Sequence, residues 1–360
     1  MHSNDLLRGR KEVILYGAGN VGRDVLAILS RHGVSVECFL DRSARPESRW
    51  CGVPVHTPDE GPRGSGLPVV ISIFNRDVDV SEVSGLLRAL GYGPIISFVD
   101  LHAMYPEEFG DRFWLTQREI YRRNEASIAA ASGVWADEAS RFLFEELIAF
   151  RKSGDYQRLP KPVLQEIQYL PSDIPGWPAE QPLRLVDCGA YDGDTLTSFE
   201  RAGPPLEAVA AFEPDLENFR KLATWARSRP STPSLELTLW PCGVGARTGL
   251  IPFCSGLGES SRAGAAGDDL TLFVALDDVL AGFRPNLIKL DVEGSEPEAL
   301  HGATRLIERH RPGLAVCVYH RPEHLWEVPL LLRGRELGYR FYLRLHGFDG
   351  FDLVLYAVPE

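Results

Sequence analysis

Basic charge is in short supply: Lys and Arg number 38 against 50 Asp and Glu, a formal net charge of -12 at pH 7. Such a chain does not attract polyphosphate, and no basic run with interleaved aromatics offsets this, so nucleic acid is not an expected partner. Cysteine is scarce too. The six, at 38, 51, 188, 242, 254 and 317, form no CxxC pair, which argues against a zinc ribbon. Few cysteines, without a secretory segment, predict a reducing, cytoplasmic setting. The first apolar run, VILY at 13–16, is too short for a secretory core and is cut by glycine. No apolar stretch has the roughly 20 residues of a membrane span, so no membrane partner is expected. What remains is ordinary globular composition, 44% hydrophobic and 24% charged, over 360 residues. That is comfortable for two domains.

Two strand-to-glycine-turn signals lie about half a chain apart. VILYGAGNVG (13–22) runs into the helical pattern RDVLAILSRHG, and LRLVDCGAYDGDT (183–195) runs into LTSFERAG. Each opens an α/β sheet, so two α/β domains are predicted. The first continues through SVECFLD, LPVVISIF, the helix VSEVSGLLRALG and PIISFVDL. Residues 104–180 read as a helical connector ending in a proline-rich, extended stretch. The second continues through AVAAFEP, DLENFRKLATWARS, LELTLWPCGVG, NLIKLDVEG, EPEALHGATRLIERH, GLAVCVYH and LWEVPLLLRGRELG. Its last two strands, YRFYLRLH and FDLVLYAVP, are joined by the short loop GFDGF. A terminal antiparallel hairpin on a parallel sheet fits the class I methyltransferase arrangement. The expected boundaries are 1–103 for a smaller Rossmann-like domain, 104–180 for the connector, and 181–360 for the second domain.

The second turn carries the chemistry. Asp187 sits at the carboxyl end of its strand, Gly189 and Gly193 in the turn, and Glu213 at the end of the next strand. Glycine leaves room for a cofactor across the crevice, and an acid at the second strand accepts both hydroxyls of a ribose. The spacing Gly189-x3-Gly193 departs from GxGxxG. With an acidic rim in place of a phosphate nest, it favours the cationic S-adenosylmethionine over a dinucleotide. The blander alternative is a turn with Asp187 capping the next helix.

The motifs VDCGAYDGDT, AFEPDLENFRKL, PCGVGARTG, LDDVL and above all IKLDVEGSEPEALHGA (288–303) resemble the FkbM family of S-adenosylmethionine-dependent methyltransferases. The resemblance covers about 181–360, and FGDRFWLTQREIYRRN is similar to sequence preceding this domain in longer members. It implies O-methylation of a hydroxyl on a small molecule, sugar, glycan or natural-product precursor. By position it implies that Asp187, Gly189 and Gly193, with Tyr191 in the same turn, hold the methionine part, and Glu213 the ribose. Cys242, Gly243 and Val244 fall where adenine is gripped, and Ser260 and Ser261 in a loop near the cofactor.

Methyl transfer to an alcohol needs an aligned oxygen and a proton acceptor. Candidates at strand ends on the same crevice are Asp291 and Glu293 in LDVEG and His320 in VYH. Neutral near pH 7, His320 suits a general base; capping the next helix is its structural alternative. Asp291, Glu293 and His320 alternatively form a divalent-cation site for magnesium, manganese or calcium. Glu296 serves either that group or its helix dipole. Arg344 and His346 are candidates for an anionic acceptor group, or members of a solvated strand edge.

In the first domain, Gly17, Gly19 and Gly22 with Asp41 match the dinucleotide fingerprint. No recognisable hydride-transfer machinery follows. The pattern also looks like small Rossmann-like domains of sugar-modifying proteins, which leaves acceptor positioning, a degenerate structural domain and NAD binding as alternatives. An NAD-dependent oxidoreductase and a non-catalytic nucleotide- or sugar-binding protein therefore stand beside the methyltransferase reading. A homodimer is compatible with all three.

Overall fold

The computed structural model describes residue 7 and residues 10–163, 166–178, 181–229, 235–254, 262–263 and 269–360. Contacts divide the chain into two units. The first holds Met1–Asn124, Glu146–Lys161 and Gly347–Phe351; the second holds Glu125–Glu145, Pro162–His346 and Asp352–Glu360.

The first unit is built on β1 (Glu12–Tyr16), β2 (Ser35–Leu40), β3 (Arg49–Trp50), β4 (Val53–His56), β5 (Val69–Ile71) and β6 (Ile95–Ile96). Their order is β3-β4-β2-β1-β5-β6. All pair in parallel except β3 on β4. The amphipathic helix Asn20–Arg31 crosses from β1 to β2, and Val80–Ala89 crosses from β5 to β6. Asp79 starts the latter by accepting the Ser81 and Glu82 backbone N–H groups, an N-cap of the expected chemistry. Ile14, Tyr16, Leu40, Val69 and Ile71 pack on Val80, Val83 and Leu87 of that helix to form the core.

The second unit adds β7 (Leu183–Cys188), β8 (Leu206–Phe212), β9 (Glu236–Trp240), β10 (Gly243–Val244), β11 (Gly249–Cys254), β12 (Arg262–Ala263), β13 (Asp269–Val274), β14 (Leu287–Leu290), β15 (Gly313–Cys317), β16 (Tyr339–Leu345) and β17 (Leu353–Pro359). Seven of these form one sheet, ordered β16-β17-β15-β14-β7-β8-β9. β7, β8, β9, β14 and β15 run parallel, and β17 is antiparallel to both β15 and β16. The expected terminal hairpin is present. Strand order reverses between β7 and β14, so the crevice at their carboxyl ends is the topological switch point where α/β sheets bind ligands.

Within the stretch expected as a helical connector, Glu138–Ser153 is one 16-residue helix whose first half belongs to the second unit and whose second half belongs to the first. A second, four-stranded sheet is ordered β10-β13-β11-β12. The exposed Leu250, Leu270 and Leu272 on β11 and β13 show why alternation there was hard to interpret. Among the described residues, no helix is long and apolar enough to cross a membrane.

Candidate functional site

At the switch point the two central strands nearly touch. A Cβ on Gly189 would lie 1.8 Å from the Asp291 carbonyl oxygen, and Gly189 has a φ of +82°. Glycine is therefore required by the meeting of β7 and β14 themselves, whatever lies across the crevice. Gly193, φ +93°, closes the turn, where a Cβ would sit 3.0 Å from the Trp225 ring.

Asp187 ends up inside the sheet. It is fully buried beside Lys289, its register partner on β14, whose Nζ lies 3.0 Å from Asp187 Oδ1. Nζ also donates to the Gly189 carbonyl at 2.6 Å. Burial alone would lower the Lys289 ammonium, but the carboxylates of Asp187, Asp291 and Asp194 hold it above its ordinary value. Asp187 is thus paired with Lys289, which in turn bonds the glycine turn.

Glu213 ends β8 and is buried, 5% exposed. Its Oε2 accepts the Tyr191 N–H at 2.9 Å, and its Oε1 accepts the Asp215 N–H at 2.9 Å. Burial pushes its carboxyl up to about 7 despite these bonds. Each oxygen keeps a further lone pair, so this carboxylate is fixed, largely dry and short of donors. Two vicinal hydroxyls supply that need, and the residues present fit the ribose of S-adenosylmethionine. Tyr191 is held here by its backbone.

Cys242, Gly243 and Val244 are all buried. A Cβ on Gly243 would strike the Phe273 ring, 2.3 Å from its nearest atom, so packing against β13 accounts for this glycine. Ser260 and Ser261 lie outside the described residues.

Asp291, Glu293 and His320 do meet. His320 Nε2 lies 3.3 Å from Asp291 Oδ1 and 3.6 Å from Glu293 Oε1. On the other side of the ring, Nδ1 contacts Glu296 Oε1 at 2.7 Å. Glu296 is completely buried; Oε1 also accepts the Val292 N–H at 3.0 Å, and Oε2 lies 3.1 Å from His324 Nδ1. It opens the helix Glu296–Gly302 and at the same time anchors the imidazole. Burial would lower the His320 imidazole, but Glu296, Glu293 and Asp291 outweigh it and raise it to about 10. The expectation of a neutral histidine near pH 7 is corrected: three carboxylates keep the ring protonated.

Two contributors were not foreseen. Lys289 had a signal, a lone cation inside the apolar IKL strand. Tyr169 had none, because it comes from the proline-rich stretch. Its hydroxyl donates to Asp291 Oδ2 at 2.9 Å, and its carbonyl accepts the Trp177 indole N–H at 3.0 Å. Arg344 and His346 are corrected as well. Arg344 is 8% exposed and donates to Asp137, Asp173 and Ser140, while His346 bonds the Tyr356 hydroxyl at 2.8 Å. Both serve the second unit's own structure.

In the first unit, Gly22 permits close helix–strand packing: its Cβ would lie 2.3 Å from the Gly17 carbonyl oxygen. Gly17 has a φ of +107°, and Gly19 faces open space. Asp41 Oδ2 accepts the Ala18 N–H at 3.0 Å, and Oδ1 accepts from Ser43. A groove of about 1330 Å³ in this unit is lined by Asp79, Asp100, Arg118, Tyr156 and Lys161, among others. None of Gly17, Gly19, Gly22 and Asp41 lines it.

Residues 273–341 match the model of the methyltransferase FkbM domain. The crystal structure of the methyltransferase FkbM from Methylobacillus flagellatus KT shares the fold at a TM-score of 0.78 and 21% identity, covering 99% of this chain and 93% of that one. An Aeropyrum pernix fibrillarin, solved with natively bound S-adenosyl-L-methionine, is similar at a TM-score of 0.32 and 16% identity over 51% of this chain and 70% of that one. No curated protein matches the chain. Over residues 273–341 the chain is similar to the methyltransferase FkbM domain, and it shares the α/β fold of that solved FkbM methyltransferase.

Proposed function

We propose that this protein uses S-adenosylmethionine to methylate a hydroxyl of a small molecule, a sugar, or a glycan or natural-product precursor. The observation that carries the reading is Glu213: a dry carboxylate at the second strand end, fixed by the Tyr191 and Asp215 N–H groups. When bound, S-adenosylmethionine supplies an electrophilic methyl carbon. Glu213 accepts the two ribose hydroxyls, and the 189–193 turn offers backbone to the methionine end.

The acceptor side is formed by the ends of β14 and β15. Asp291 and Glu293 are partly exposed there, while His320 lies almost wholly beneath them. A protonated imidazole is no base, so the acceptor hydroxyl gives its proton to a carboxylate. Asp291 is the best placed. Tyr169 fixes one of its oxygens and His320 faces the other, which orients the carboxylate for the incoming O–H. The acidic overall charge supports a small-molecule or glycan acceptor over a polyanion, and the scarcity of cysteine supports a cytoplasmic setting.

Calorimetric titration of chelator-treated protein with S-adenosylhomocysteine, and separately with NAD, tests the reading. One homocysteine-product site per chain is expected. Absence of that binding overturns the proposal, and NAD binding in its place moves the chemistry to the GAGNVG turn of the first unit. Tyr169→Phe should keep product affinity within about twofold while turnover falls, because only the orientation of Asp291 changes.

A further inference from the structure

We propose that Asp291, Glu293 and His320 bind a divalent cation, which takes the place of the proton on His320 Nε2 and releases it to solvent, with Glu296 holding the imidazole in its ligating orientation. The site stands on its own geometry, while its role, orienting the acceptor oxygens, rests on the methyl-transfer reading. Adjacent ligand atoms around an octahedral ion with bonds of about 2.1 Å lie roughly 3 Å apart. The Nε2 separations of 3.3 Å to Asp291 Oδ1 and 3.6 Å to Glu293 Oε1 approach that spacing. The ligand atoms that fall within 4.8 Å of one another are those of Asp291, Glu296 and His320; Glu293 is outside that group and must swing toward the ion to ligate it.

The rear of the imidazole supports the assignment. Ligating histidines commonly donate their second ring nitrogen to a carboxylate, which fixes the tautomer and aims the other nitrogen at the metal. Glu296 does this at 2.7 Å from Nδ1, and Glu296 is itself tied by the Val292 N–H and faces His324. It is too engaged to be the mobile ligand. Three carboxylates lie within 3.6 Å of the His320 ring, and His324 shares one of them, Glu296. One nitrogen with two carboxylate oxygens suits manganese, and the remaining positions would go to water and to oxygens of the acceptor.

The test is titration of chelator-treated full-length protein with Mn²⁺, followed by the loss of the free-ion electron paramagnetic resonance signal. One ion per chain is expected, and Asp291→Asn should weaken it at least about tenfold. Glu296→Gln should weaken it about 10–100-fold without removing a ligand. Since Glu296 is buried and that variant is at risk of misfolding, His320→Gln provides a second check, with circular dichroism confirming its fold. No stoichiometric Mn²⁺ binding, or binding unchanged in both Asp291→Asn and His320→Gln, overturns the site. S-adenosylhomocysteine titration without metal separates the two failures: product binding without Mn²⁺ binding defeats only the cation site, and the reverse defeats only the methyl-transfer reading.

Discussion

The raised carboxyl of Glu213 makes cofactor affinity depend on pH in a calculable way. Burial lifts it from an ordinary 4.5 to about 7 in the empty crevice. Ribose hydroxyls donate, so they require the ionised form, and a proton competes with them. Apparent affinity for S-adenosylhomocysteine should be nearly flat above pH 8 and fall about tenfold from pH 8 to pH 6, then by roughly one decade per further unit. Binding at pH 7 should release about half a proton, visible as a buffer-dependent calorimetric heat. Glu213→Gln should abolish both effects and weaken binding about 10–100-fold at pH 8, the scale of lost charged hydrogen bonds. The same shift has a stability cost. A carboxyl raised in the fold contributes stability that is complete below 4.5 and lost as the pH rises through about 7. The loss is bounded at roughly 3 kcal/mol. Affinity independent of pH between 6 and 8 would refute the reasoning, as would a pH dependence that survives Glu213→Gln.

Lys289→Ala should destabilise the protein by about 3–5 kcal/mol in denaturant unfolding, because Asp187 is left buried and uncompensated. Combining Lys289→Met with Asp187→Asn should recover much of that loss, and a single variant as stable as the parent would remove the pair from the account. Gly189→Ala should cost about 3 kcal/mol or more, since its Cβ would overlap the Asp291 carbonyl and β7 and β14 would have to part. Product affinity should fall with it, and a Gly189→Ala protein with parental stability would mean the strand ends can separate freely.

The frame was legible because its signals are local. An apolar run entering a glycine turn, or the pair YRFYLRLH and FDLVLYAVP around a short loop, needs only neighbours in sequence to be interpreted. The acids at strand ends followed from the same frame. What escaped depends on register and on distant segments. Asp187 looked like a crevice residue until its pairing with Lys289 placed both inside the sheet. His320 looked neutral because nothing local in the sequence shows that Glu296, 24 positions before it in the chain, contacts its ring. Tyr169 reaches Asp291 from 122 positions away, out of a stretch whose prolines predicted only irregularity. Arg344 looked exposed on a strand edge, yet Asp137 and Asp173 close over it.

The two units reuse one device, and comparing them shows why a fingerprint alone does not establish a ligand. In each, the acid ending the second strand accepts a backbone N–H from the glycine turn: Asp41 from Ala18 at 3.0 Å, Glu213 from Tyr191 at 2.9 Å. Their electrostatics diverge. Burial pushes Asp41 up, but hydrogen bonds from Ser43 and Ala18 outweigh it and leave the carboxyl below its ordinary value. Asp41 is therefore supplied with donors by its own loop, and its fingerprint is accounted for by holding the turn together. Burial wins at Glu213, where two backbone N–H groups do not offset the loss of water. A carboxylate left in that condition gains most from new donors. The difference between the units lies in how dry the acid is, which no spacing of glycines records, and it locates the stronger ligand demand in the second unit.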